Sequence, residues 1–271
     1  MAQELTTTSL KALFRFPFKE QDWKNRFLVG VLLCLACFIP FLGVVAWVII
    51  FGYVIQVMRR ASTGEELELP PWGDWGGLVR DGIQGFLVQI VFMLPGFLVY
   101  FGGVLLYFFA SFGLPLLFSI PMAGSEGDPS PAAALVLLMV FAVFASMIVL
   151  FISIFLGMAL MFLGAIPLPM ALAHFSVRGN LSAAFRVKEW WPLLRANKLG
   201  YFIAWVIVAG LVVVLYWAIL PLYLTIILSF LVFVAIAPIS FYVLLMGGAV
   251  FGRTYWESVA LMEARGKEAE G

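Results

Sequence analysis

Charged side chains are absent from four long stretches of the chain, Phe27–Met58, Ile83–Ile120, Ala132–Val177 and Leu199–Gly252. A helix crosses a hydrocarbon layer of roughly 30 Å in about 20 residues, so every stretch is long enough to enter a membrane. The last is too long for one crossing, and Leu220-Pro221 divides it. The first is interrupted at Ile39-Pro40-Phe41-Leu42-Gly43, where a helix kinks or turns. Its two arms are expected to reach about 20 Å each, short of a full crossing. The pattern predicts helices over 27–39, 41–60, 83–118, 132–165, 199–219 and 222–250. The expected fold is an all-α polytopic bundle of about six membrane-embedded helices, four of them full spans.

Composition excludes the alternative of a soluble core. The chain is 64% apolar and 11% charged, with mean hydropathy +1.08, against about 45–50% and about 25% in soluble domains. No soluble domain of 271 residues has interior enough to hide that much hydrocarbon. A net charge of +1 gives no reason to expect a nucleic-acid partner. Two Cys and one His exclude a disulfide framework and leave little for a metal cage.

Charge placement then sets the expected topology. All sixteen Lys and Arg fall in four polar segments, 1–26, 61–82 with its flanking Arg59 and Arg60, 177–198 and 253–271. The connector Pro121–Pro131 carries Glu126 and Asp128 instead. The positive-inside rule places the four basic segments in the cytoplasm of a plasma or inner membrane. The Phe27–Met58 stretch must then enter and return on one side, as a short or re-entrant hairpin turning at Pro40–Gly43. Such a turn is expected to need protein cover, because lipid cannot satisfy its backbone. Leu35-Ala36-Cys37 faintly matches a lipoprotein cleavage site, but apolar character runs far past Cys37, against a removed signal.

The polar segments have distinct characters. Residues 1–26 and the 253–271 tail show amphipathic spacing suited to an anionic leaflet. In 177–198, Arg186 and Lys188 flank an oily side, and Trp190 and Trp191 are expected at headgroup depth. Loop 61–82 sets acidic residues and paired Trp on a Pro/Gly-rich frame, a semi-rigid turn. Asp74 and Asp81 are expected to cap helices, with Asp81 opening the helix at Ile83; an active-site role is the weaker alternative.

Gly52-Tyr53, Arg59-Arg60, Gly64, Leu69-Pro70, Trp72, Asp74-Trp75 and Asp81-Gly82 together resemble the signature of an uncharacterised bacterial and archaeal membrane-protein family, domain of unknown function 4013. Ala183-Ala184-Phe185-Arg186 with Asn197 and Gly200-Tyr201 is similar to that family's second cytoplasmic segment. The resemblance implies a polytopic membrane protein and supplies no catalytic residue.

Candidate chemistry is sparse. Cys34 and Cys37 form C-x-x-C inside an apolar helix, with no nearby basic group to stabilise a thiolate, which favours packing. His174 has no neighbouring carboxylate or second ligand in sequence, which favours a structural role. No catalytic, cofactor or metal site is expected. Ion coupling needs ionisable groups within the membrane, and the predicted spans offer Gln and hydroxyl side chains instead. Gly248 and Gly252 form G-x-x-x-G, Ser153 and Gly157 a similar pair, and Gly102-Gly103 and Gly247-Gly248 invite close helix contact. The leading expectation is a non-enzymatic scaffold or accessory subunit, held among membrane lipids, with a second copy or another membrane protein as partner. The alternative is a permease, or a protein handling lipid or another apolar solute.

Overall fold

A computed structural model describes residues 12–117, 129–224 and 226–270. Among the described residues every regular element is helical, and five helices are long and apolar enough to cross a membrane. The expected all-α polytopic bundle is therefore observed. The helices are α1 (Trp23–Ala36), α2 (Leu42–Thr63), α3 (Trp75–Phe108), α4 (Pro129–Ala165), α5 (Leu168–Arg178), α6 (Leu181–Ala184), α7 (Val187–Ala196), α8 (Lys198–Leu224) and α9 (Ile226–Glu270).

Helix limits differ from the charge boundaries in three places, each for a local reason. α2 runs through Arg59 and Arg60 to Thr63 and stops at Gly64, whose φ of 77° suits a left-handed cap. At 22 residues it joins the helices of spanning length, where sequence reading expected a short arm. α3 starts at Trp75, eight residues before the end of charge, because Asp74 Oδ1 accepts from Gly77 N at 2.8 Å and closes the first turn. α9 does not end near Gly252 but continues to Glu270, with Arg253 and Glu257 paired one turn apart at 3.7 Å.

The turn between α1 and α2 closes its own backbone. Cys37, Phe38 and Ile39 donate to Leu33, Leu35 and Ala36, Gly43 donates to Ile39, and Leu42 donates to Pro40 at 2.8 Å. Pro40 has no N–H to satisfy. Phe41 takes φ 65° and ψ −49°, a γ-turn of the rarer, strained hand. A side chain on Gly43 would collide with the Cys37 carbonyl. Among the described residues the expected protein cover is not found: Phe41 is 93% exposed, with Phe38, Ile39, Val44 and Val45 exposed around it. Local hydrogen bonds satisfy much of the turn's backbone instead.

The chain divides into two compact units. The first, residues 1–88 and 169–271, centres on α2 and α9. Gly248 lies against Val54, and Gly252 against Ala61 and the Met58 carbonyl, so these two glycines let the α2 and α9 backbones meet. Gly247 faces open space. In the second unit, residues 89–168, α3 and α4 pack through small residues: Gly96 on Gly157, Gly103 on Ser153 and Gly164 on the Phe92 carbonyl. Gly102 touches nothing. Outward side chains of this unit, Leu105, Leu137 and Phe155 among them, are exposed and apolar, as a lipid-facing surface requires.

Candidate functional site

Loop 64–74 and its flanking helices hold the motif residues, and most of them close on the chain itself. Tyr53 donates from its hydroxyl to the Pro70 carbonyl at 2.8 Å and stacks on Trp72 with centroids 4.0 Å apart. Trp72 Nε1 donates to the Arg26 carbonyl at 2.7 Å, and the Arg26 guanidinium reaches the Leu69 carbonyl and Glu20. Leu69 is buried. Trp72 is thus an internal peg, while Trp75 stacks beside it and stays exposed. Gly52 and Gly82 sit where α2 crosses α3, each backbone filling the space a side chain would need. Arg60 is half-buried.

Asp81 does not open a helix. It lies in the second turn of α3, is 3% exposed, and accepts from Arg59 Nη2 at 2.9 Å. Arg59 Nε also donates to the Ser176 carbonyl in the last turn of α5 at 2.6 Å. One guanidinium thereby ties α2, α3 and α5 together.

α5, α7 and α9 also bring together a polar cluster. α5 ends at Arg178 and presents His174; α7 presents Glu189; α9 presents Tyr255. His174 Nε2 lies 3.0 Å from Glu189 Oε2, and Nδ1 lies 2.8 Å from the Tyr255 hydroxyl. Arg186 Nη1 sits 3.3 Å from Glu189 Oε1. The His174 hydrogen bond, with help from Arg186, holds the Glu189 carboxyl below the usual carboxylate range. The ionised carboxylate accepts from Nε2–H, which leaves Nδ1 as acceptor and makes the Tyr255 hydroxyl the donor to it. The cluster borders a cavity of about 490 Å³ that Ser62, Arg178, Leu193 and Trp256 also line.

Sequence reasoning left His174 without a partner. Glu189 lies 15 residues away and Tyr255 lies 81 away, on separate helices. One signal was available: Glu189 is the single acid in segment 177–198, as His174 is the single His of the chain. Trp190 is 2% exposed and donates to the Ala184 carbonyl at 2.9 Å, so it anchors α7 inward. Trp191 is on the surface under the Arg195 guanidinium, and Arg186 and Lys188 are exposed. Cys34 and Cys37 are free thiols. Among the described residues no three His, Cys, Asp or Glu side chains converge.

The polar segments converge in the first unit. Lys19 pairs with Glu66 at 3.7 Å, joining the N-terminal segment to the first loop. Arg265 donates to the Ala196 carbonyl at 3.4 Å, joining the tail to α7. The cavity joins the end of α2 to α5, α7 and α9.

No curated protein and no solved structure matches the chain. A family model described as a protein of unknown function, DUF4013, matches residues 32–224, and so covers the Tyr53–Trp72 lock, the Arg59–Asp81 tie, His174 and Glu189. Matched over more than half its length and in those residues, this multi-pass membrane protein belongs to the DUF4013 family.

Proposed function

We propose that the protein is a non-enzymatic accessory or docking subunit of a plasma- or inner-membrane complex, with both termini and all four basic segments in the cytoplasm. The convergence of those segments on one end of the first unit carries the reading, since a single basic face fits one side of a membrane. Glu126, assigned to the opposite side, lies outside the described residues.

The hairpin then enters and returns. Its polar fastening lies at Arg26, Tyr53 and Trp72. From Tyr53 down to Leu42, α2 descends about 16 Å at roughly 1.5 Å per residue, half of a hydrocarbon core of roughly 30 Å. α2 has the length of a span, but its last turns lie beside the polar loop rather than in lipid. Four crossings by α3, α4, α8 and α9, plus the hairpin, return the chain to its starting side.

Docking is assigned to the outer face of α7, where Val187, Lys188, Trp191 and Arg195 are presented. Aromatic and arginine side chains of this kind are enriched among interface anchors. The test is purification of the tagged chain from its native membrane in mild detergent. A stoichiometric partner or second copy, lost in a Trp191→Ala/Arg195→Ala variant, is the expected result. A monomer in every detergent, or a partner indifferent to both substitutions, contradicts the reading.

A further inference from the structure

The cavity beside His174 carries one unspent positive charge. Glu189 is the acid on its wall, and both carboxylate oxygens are engaged, Oε2 by His174 at 3.0 Å and Oε1 by Arg186 at 3.3 Å. Tyr255 has its proton committed to His174. Arg178, the last residue of α5, is exposed, lines the same space and has no ion-pair partner among the described residues. The rest of the wall is largely apolar, with Leu193, Trp256 and Val259. A volume of about 490 Å³ falls within the range of small-ligand sites, about 300–1,000 Å³.

An exposed, unpaired guanidinium beside a partly open pocket with an apolar side selects a particular ligand chemistry. An anionic head gains a charge-assisted, two-pronged hydrogen bond from Arg178, while an apolar body displaces water from the remaining wall. We propose that this cavity binds a small amphipathic anion, a carboxylate or phosphate head held by Arg178 with its hydrocarbon part against Leu193, Trp256 and Val259. The Glu189–His174–Tyr255 chain serves as a positioning wall, fixing α5, α7 and α9 around the ligand. A free organic acid and a lipid-borne acidic head share this chemistry.

The test uses the full chain in nanodiscs of neutral phosphatidylcholine and follows tryptophan fluorescence, assigned to Trp256 by its loss in Trp256→Phe. Three probes are compared: 4-phenylbutyrate as a free acid, dodecyl phosphate as a membrane-borne one, and 4-phenylbutanol as the neutral analogue. One anion is expected to saturate the signal, which identifies the source, and the alcohol to bind at least about tenfold more weakly. Arg178→Gln is expected to weaken the anion about tenfold, Arg178→Lys less, and Lys198→Gln, at an exposed position, not at all. Equal binding of anion and alcohol by the unmodified chain overturns the proposal whether or not the Arg178 variants fold. So does the absence of saturation by either anion, or undiminished binding by folded Arg178→Gln.

Discussion

The Arg59 guanidinium meets the Asp81 carboxylate at 2.9 Å and fastens the end of α2 to the second turn of α3. Asp81 is almost wholly buried, so removing Arg59 leaves its carboxylate away from water with only the exposed Arg80 at 3.7 Å. Arg59→Ala is expected to cost about 3 kcal/mol, because it also frees the Ser176 carbonyl. Asp81→Asn keeps the shape and is expected to cost about 1–2 kcal/mol. Unfolding in detergent, followed by circular dichroism, ranks the two variants; equal stability of Arg59→Ala and the parent contradicts the assignment.

Glycine substitutions separate packing from helix propensity. A side chain on Gly52 or Gly82 has nowhere to go where α2 crosses α3, so Ala at either site is expected to destabilise by about 2 kcal/mol. Gly102 and Gly247 have open space beside them, and Ala there is expected to stabilise by about 0.4–1 kcal/mol. Thermal midpoints of the four variants check the contrast.

The Glu189 carboxyl is held below its ordinary range by His174 and Arg186. Its stabilising contribution is therefore fully present above the unfolded carboxyl pKa and disappears as pH falls through the lower folded value. Glu189→Gln is expected to lose stability at neutral pH relative to the parent, and the difference is expected to shrink toward acid. A pH series of denaturant midpoints reads this out; a constant difference across the acid limb contradicts it.

Phe41 occupies a strained positive-φ turn with its side chain fully outward. Glycine tolerates that backbone without penalty, so Phe41→Gly is expected to stabilise the hairpin by about 1 kcal/mol. A lowered thermal midpoint would show that the phenyl ring matters more to the fold than the backbone does.

How much of this was legible in the sequence follows from the range of each interaction. The charge-free stretches mark helices because desolvating a charge in lipid is a local cost, paid by each residue alone. Helix ends were less legible, since Arg80 and Asp81 look like loop until Asp81 is seen to accept from Arg59 on the neighbouring helix. Gly102-Gly103 and Gly247-Gly248 read as equivalent pairs, yet one member of each touches a neighbouring helix and the other does not. The His174 cluster was illegible because its partners come from helices whose adjacency is a tertiary fact. The motif was visible as a pattern, but its purpose, a loop pegged by Tyr53 and Trp72, required the geometry.

Single cysteines placed in a Cys34→Ala/Cys37→Ala chain at Phe41, Glu66, Lys188 and Glu263, and labelled from either side of sealed native vesicles, test the account most directly. The predicted result is reaction of positions 66, 188 and 263 from the cytoplasmic side and of position 41 from neither. Labelling of position 41 from the outer side, or of positions 66 and 188 from opposite sides, contradicts it.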